Sequence, residues 1–239
     1  MIKINKLSAP DGLKELYDKC KEEKLSPDES YKKLGNPLKQ EVIDNLMAEQ
    51  GHICAYCMRR IPDERELPDD TPDVSIEHII PRNPIKFIDV NQGLDYNNMV
   101  AVCSGNRGKK KTRKPRDLTC DAKRGRKDIT INPLDSDKIA LIKYREDGSI
   151  FSDDTAINDD LDISLNLNCS SDLVKLPETR KNVLTEFQSA LFSMSSMDTI
   201  KNNCERYLDL YLNESDPKTP YSGIIIWWLQ EYIKKLTKV

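Results

Sequence analysis

Glu77 and His78 are neighbours in the run Ile76-Glu77-His78-Ile79-Ile80-Pro81-Arg82, which sets a carboxylate beside an imidazole with apolar residues on either side. The chain has only two histidines, so any imidazole chemistry has to use His78 or His52. Four cysteines are placed like metal ligands: Cys54 and Cys57 upstream, Cys103 and Cys120 downstream. Two residues between Cys54 and Cys57 let both thiolates turn toward one ion, and a second pair has to complete the tetrahedron. Cys103 and Cys120 would supply it across a gap of sixteen residues, much of it basic and read as a looped-out insertion. A redox reading of Cys-x-x-Cys needs a thioredoxin-like strand and helix around it, which this stretch lacks. His52, two residues before Cys54, reads as structural, and Cys20, Cys169 and Cys204 read as ordinary buried thiols.

The surrounding elements have to bring these groups together. Val74 to Ile76 reads as a strand ending at Glu77-His78. Met99 to Val102 reads as a second strand that runs into Cys103. Pro81 to Gly93 would be the loop between them, and Asp121 to Arg124 a short helix after Cys120. Strand, loop, strand and helix would let His78 and Asp121 face each other across a metal. Before this core, residues 1–9 read as a short strand or arm. A helix capped by Asp11 follows to about Glu23, Ser26-Pro27-Asp28 starts another turn, and a helix opened by Asn36-Pro37 ends near Gly51. After it, Ile129 to Asn132 reads as a strand, and Ile139–Tyr144 with Ser149–Ser152 as a hairpin around Asp147-Gly148. The acidic stretch 153–172 reads as loop, with Leu161, Ile163, Leu165 and Leu167 alternating as in a strand. Helices are expected from Pro177 to Met194, Met197 to Leu212 and Tyr221 to Lys238. In the last of these Ile225, Trp228, Leu229, Tyr232 and Ile233 share one face.

With 38% hydrophobic and 32% charged residues, the chain is polar but able to build a core. No apolar run is long enough to span a membrane, and no secretory signal is visible, so a cytoplasmic place is expected. The net charge of −3 by itself points to no nucleic-acid partner, but its distribution does. Residues 107–127 hold eleven Lys and Arg against two Asp, a local charge of +9, whereas 146–172 is acidic. Lysines and arginines in such a run suit phosphate, giving salt-sensitive binding with little sequence information.

Cys54-x-x-Cys57, Glu77-His78-Ile79-Ile80-Pro81, Asn98-Met99-Val100 and Cys120-Asp121-x-Lys123 together resemble the HNH endonuclease family, whose core is a zinc finger-like strand-strand-helix unit. Leu94-Asp95-Tyr96-Asn97-Asn98, Cys103-Ser104-Gly105-Asn106, Cys120-Asp121-x-Lys123-x-Gly125 and Asn132-Pro133-Leu134 narrow the resemblance. They are most similar to the HNH subunit of Septu-type and retron-associated anti-phage systems, over roughly residues 50–135. The resemblance implies an α+β chain: a zinc-stabilised ββα-metal core in 51–135, a helical segment in 1–50, and a β-hairpin with a helical region in 136–239.

It also implies roles. His78 would be the general base and Asn98 would hold it. Glu77, where the family often has Asp, and Asp121, where it has His or Asn, would bind a catalytic Mg²⁺ or Mn²⁺. Asn106 rivals Asp121 for that last position. Cys54, Cys57, Cys103 and Cys120 would hold structural Zn²⁺, and Arg82, Arg107, Lys109, Lys110, Lys123 and Arg124 would meet nucleic acid. The implied function is phosphodiester cleavage by the effector of an anti-phage system. It would act with an ABC or SMC-like ATPase, and with a retron reverse transcriptase and its reverse-transcribed DNA. The helices outside the core would dock partners. Two other readings stay open: a zinc knuckle that binds nucleic acid without cutting it, and a subunit silent without its partner.

Overall fold

Helix caps and apolar spacing account for most of the element order in the computed structural model, which describes residues 1–62, 73–82, 92–107, 114–171, 174–196 and 198–237. Helix α1 (Asp11–Glu22) follows Pro10 and buries Leu13 and Cys20. Helix α2 (Pro27–Lys32) begins with a capping box in which Ser26 and Glu29 satisfy each other's backbone amides. Helix α3 (Leu38–Gln50) buries Val42 and Leu46 and is closed by Gly51 in the left-handed conformation, φ +67°. Residues 1–9, expected as a strand or arm, form an irregular segment tied down by the Ile4 amide donating to the Pro133 carbonyl, 2.9 Å.

Strands β1 (Val74–His78) and β2 (Met99–Cys103) pair antiparallel, with Ile76 opposite Ala101 and His78 opposite Met99. All five residues of β2 are buried, because α3 and α4 (Cys120–Arg124) also pack on it. The Gln50 side chain extends α3 onto the strand: its amide nitrogen donates to Ile53 and Ala101 carbonyls at 2.9 and 2.8 Å, and its oxygen accepts the Ala101 amide at 2.7 Å.

The C-terminal region departs from its sequence pattern before it rejoins it. Residues 129–132 form no strand; the Thr130 and Ile131 amides both donate to the Asp160 carboxylate. The expected hairpin shrinks to β3 (Lys143–Tyr144) and β4 (Ile150–Phe151), because Asp135 caps a short helix, α5 (Ser136–Ala140), where the first strand was expected. Instead of a loop and strand, 155–164 forms α6 (Thr155–Asp159), capped by Asp154, followed by a π turn. A small pair, β5 (Ser170–Ser171) and β6 (Val174–Lys175), leads into α7 (Leu176–Ser193). Helices α8 (Ile200–Leu212) and α9 (Ser222–Leu236) complete a bundle. In that bundle Trp228 stacks on Tyr232 at 4.7 Å, and Phe187 packs edge-on to Tyr207 and Tyr211. On α9, Ile225, Trp228 and Leu229 are buried, and Tyr232 and Ile233 half-buried.

The chain is α+β with short antiparallel strand pairs. Its buried core joins Leu13 and Leu46, Val100 and Ala101, and Leu184 and Leu229, so every third of the sequence contributes. Among the described residues, no helix is long and apolar enough to cross a membrane.

Candidate functional site

Cys54 and Cys57 lie in a tight hairpin whose ends meet at Ile53 and Arg60. The Cys54 amide donates to the Arg59 carbonyl (2.9 Å) and the Met58 amide to the Cys54 carbonyl (3.0 Å). Ala55 donates to the carbonyl of Ala101 (3.1 Å), which fixes the hairpin against β2. Cys103 ends β2 and Cys120 begins α4. The Gly105 carbonyl accepts the Thr119 amide at 3.0 Å, and a side chain at Gly105 would strike the Thr119 carbonyl. Asn106 completes this neck, its amide donating to the Asp117 carbonyl (3.1 Å) and to Thr119 Oγ1 (3.2 Å). The long gap between Cys103 and Cys120 is thereby closed at its base; residues 108–113, including Lys109 and Lys110, lie outside the described residues.

The four thiols converge. All four are buried, and their sulfur atoms lie within 4.8 Å of one another. Three of the edges are 3.7 Å (Cys57–Cys103), 3.8 Å (Cys103–Cys120) and 3.9 Å (Cys54–Cys120). A tetrahedral ion with metal–sulfur bonds of about 2.3 Å needs edges of about 3.8 Å. The cluster could therefore hold a metal ion such as zinc. Arg59 is buried nearby; burial works against its charge, and the Cys57 and Cys103 thiols more than offset that. Cys20, Cys169 and Cys204 are buried singly. His52 sits apart from the cluster, with Nδ1 against the Asp216 carboxylate.

The other side of the same framework carries a polar cleft. Glu77 and His78 close β1, and Asp121 follows Cys120 in α4. All three line a cavity of about 130 Å³ together with Asp28, Arg82 and Arg124. Glu77 is 7% exposed and His78 5%. Burial, reinforced by the adjoining Asp121 carboxylate and opposed by Arg124, pushes the Glu77 carboxyl up to about 8. Burial pushes His78 down to about 4, so its ring is neutral at pH 7. The ring's Nε2 lies 3.1 Å from the Gly93 carbonyl. A carbonyl can only accept, so Nε2 carries the hydrogen and Nδ1 the lone pair. Asn98 staples the loop that supplies that carbonyl. It accepts the Ile80 amide at 2.7 Å and donates to the Ile80 carbonyl at 2.9 Å and the Gln92 carbonyl at 3.2 Å. Residues 83–91 of this loop lie outside the described residues.

Two placements separate rivals that the sequence left level. Asp121 faces the cleft, whereas Asn106 is committed to the neck of the insertion and does not line the cavity. Arg124 lines the cleft, but it is 2% exposed and spends its guanidinium on the protein. It pairs with Glu77 and donates to the carbonyls of His78 (2.9 Å), Ile79 and Lys127 (2.8 Å) and to Tyr56 Oη (3.2 Å). Sequence reasoning had no signal for this role, which depends on α4 folding back over β1. Arg107 donates to the Asp121 carboxylate at 2.7 Å, Arg82 to Asp28 at 3.0 Å, and Lys123 is half-buried. No family model and no curated protein matches this chain.

Proposed function

We propose that the chain is a metal-dependent endonuclease of the HNH kind that cleaves phosphodiester bonds in nucleic acid. The observation that carries this reading is the meeting of Glu77, His78 and Asp121 in one cleft. Glu77 and Asp121 adjoin each other although Arg124 and Arg107 pair with them, and the high Glu77 pKa marks a proton that a divalent ion held by both carboxylates would replace. Mg²⁺ or Mn²⁺ suits such hard oxygen ligands, and bound there it would stabilise charge on the scissile phosphate and the leaving oxygen. His78 is neutral at pH 7 with its lone pair on Nδ1; burial lowers its basicity, and the negative charge of a bound phosphate would raise it toward that of a general base. We assign Zn²⁺ to the four cysteines as a structural ion that holds β2 and α4 together. By the family resemblance we extend the proposal to an anti-phage effector in the cytoplasm. Its partners would be an ABC or SMC-like ATPase and, in the retron branch, a reverse transcriptase with its reverse-transcribed DNA.

A second reading has its own support. Arg124 already gives Glu77 a buried cation, as a purely structural ion pair would. On that reading the chain is a zinc knuckle that grips nucleic acid without cutting it. Incubation of plasmid and of RNA with Mg²⁺ or Mn²⁺, with and without the ATPase, compares the readings. Wild-type protein is expected to cleave, and His78→Ala to lose about a hundred- to ten-thousand-fold in rate while keeping its metal content. Equal cleavage by both proteins rejects His78 as the base. Binding without cleavage, ATPase present, leaves the knuckle reading.

A further inference from the structure

The polar cleft opens into a larger groove of about 810 Å³ that shares Ile76, Arg82, Asp121 and Gly125 with it. The far wall of this groove belongs to α2, α3 and the turn between them and contributes Tyr31, Asn36, Lys39 and Gln40. The N-terminal helices are thus part of the approach to the site as well as scaffold. Their attachment to the cleft is close. A side chain at Gly93 would strike the Pro27 carbonyl, so α2 lies directly on the residue whose carbonyl meets His78. Asp28 of α2 pairs with Arg82, and the Tyr31 ring stands edge-on to His78 with centroids 4.9 Å apart.

Tyr31 also gathers charge. The Arg82 guanidinium lies 4.2 Å from its ring centroid and the Lys39 ammonium 5.9 Å. The ring holds Lys39 with no carboxylate paired to it among the described residues, whereas Arg82 is also paired with Asp28. Arg107 lines the groove as well. Two carboxylates, Asp73 and Asp121, also line it, and Asp121 is matched by Arg107. Building on the nuclease reading, we propose that this groove carries a single nucleic-acid strand to the cleft. Lys39 and Arg82 would hold its phosphates, and Tyr31 would act as the positioning residue for both cations.

Size favours one strand over a duplex. Glu77 and His78 form a buried floor, and a cavity of about 130 Å³ admits a phosphate only from a strand that can bend into it. A sequence-blind track that meets phosphates through Lys39 and Arg82 binds through charge and loses affinity with salt.

The test measures binding apart from cleavage. The full chain carrying His78→Ala is titrated into labelled single-stranded DNA, single-stranded RNA and duplex DNA of one sequence, with anisotropy read across a salt series. We expect a single strand to bind more tightly than the duplex, and the tighter of the two sugars to identify the substrate. Adding Lys39→Glu is expected to weaken single-strand binding about tenfold and to lower the salt slope by about 0.7, the value of one phosphate contact. Lys235→Glu, an exposed position on α9, makes the same charge change and is expected to bind as before. Tyr31→Ala is expected to reproduce the loss of Lys39→Glu, and Tyr31→Phe, which keeps the ring, to restore binding. Unchanged binding in Lys39→Glu, equal losses in Lys39→Glu and Lys235→Glu, or a preference for duplex overturns the groove. Cleavage by the wild type that Lys39→Glu leaves intact overturns the groove and leaves the nuclease reading standing. Groove-dependent binding with no cleavage does the reverse.

Discussion

The cysteine cluster and the polar cleft share α4 and the paired strands β1 and β2 yet are held by different forces. Cys103 ends β2, Cys120 opens α4, and the Cys54–Cys57 hairpin is bonded to β2 through backbone groups. The cluster is therefore placed by the main chain, with thiols as its only functional atoms. The cleft is placed by side chains. Arg124 pairs with Glu77 and gathers the carbonyls of residues 78 and 79, and Asn98 staples the loop behind His78. Cys120 and Asp121 are adjacent, so whatever fixes the cluster also fixes one wall of the cleft. Losing the cluster should then destroy both regions, whereas a change in the cleft should spare the cluster.

The largest effect is expected from the cluster. Cys57→Ser or Cys120→Ser should release the bound metal and abolish cooperative unfolding of the core, since structural zinc sites contribute on the order of 10 kcal/mol of folding free energy. Metal content by mass spectrometry together with a thermal melt checks this. A stoichiometric metal content and an unchanged melt in either variant would remove the metal from the account of the fold. Next comes Arg124→Met. It leaves Glu77 buried without its cation and should cost about 3–5 kcal/mol in urea unfolding at pH 9, where Glu77 is ionised, with metal still bound. Adding Glu77→Gln should recover part of that loss, because the orphaned charge is gone. If the double variant is no more stable than Arg124→Met alone, the pair is not what holds α4 over β1.

The same contrast explains what could be read before any coordinates. Ligand types and spacing expose a metal cluster because thiols have few other reasons to recur so, and the adjacent Glu77 and His78 mark the cleft in the same way. The long helices α3, α7, α8 and α9 were visible in their apolar period and in bounding residues such as Gly51 and Pro177. The two clearest misreadings answer one another. Ile129–Asn132 has the β-branched residues of a strand, but its amides find the Asp160 carboxylate instead of a partner strand. Leu161, Ile163, Leu165 and Leu167 alternate, yet Ile163 is 56% exposed while the other three are buried, so the helical spacing of Leu161 and Leu165 prevails. A carboxylate reaching across thirty residues leaves no local trace, and neither does Arg124, whose partners come from β1 and from Tyr56.

The smallest effect sharpens the comparison most, because the cleft titrates with pH in two opposite senses. Glu77 has a folded pKa of about 8, above its ordinary value of 4.5. The folded chain therefore keeps a proton that the unfolded chain releases, and this contribution, full below pH 4.5, is lost as pH rises through about 8. His78 has a folded pKa of about 4, below 6.5. Its contribution is full above pH 6.5 and is lost as pH falls through about 4, since the unfolded ring gains a proton that the buried ring refuses. Urea melts from pH 4 to 9 should accordingly show stability falling on both sides. Glu77→Gln should flatten the alkaline limb and leave the acid one, and His78→Asn should do the opposite. Saturating Mg²⁺ should also flatten the alkaline limb in the wild type, because an ion held by Glu77 and Asp121 displaces the proton that gives rise to it. An alkaline limb that Glu77→Gln leaves unaltered would mean that the two carboxylates do not share a proton, and the case for a cation between them would fall with it.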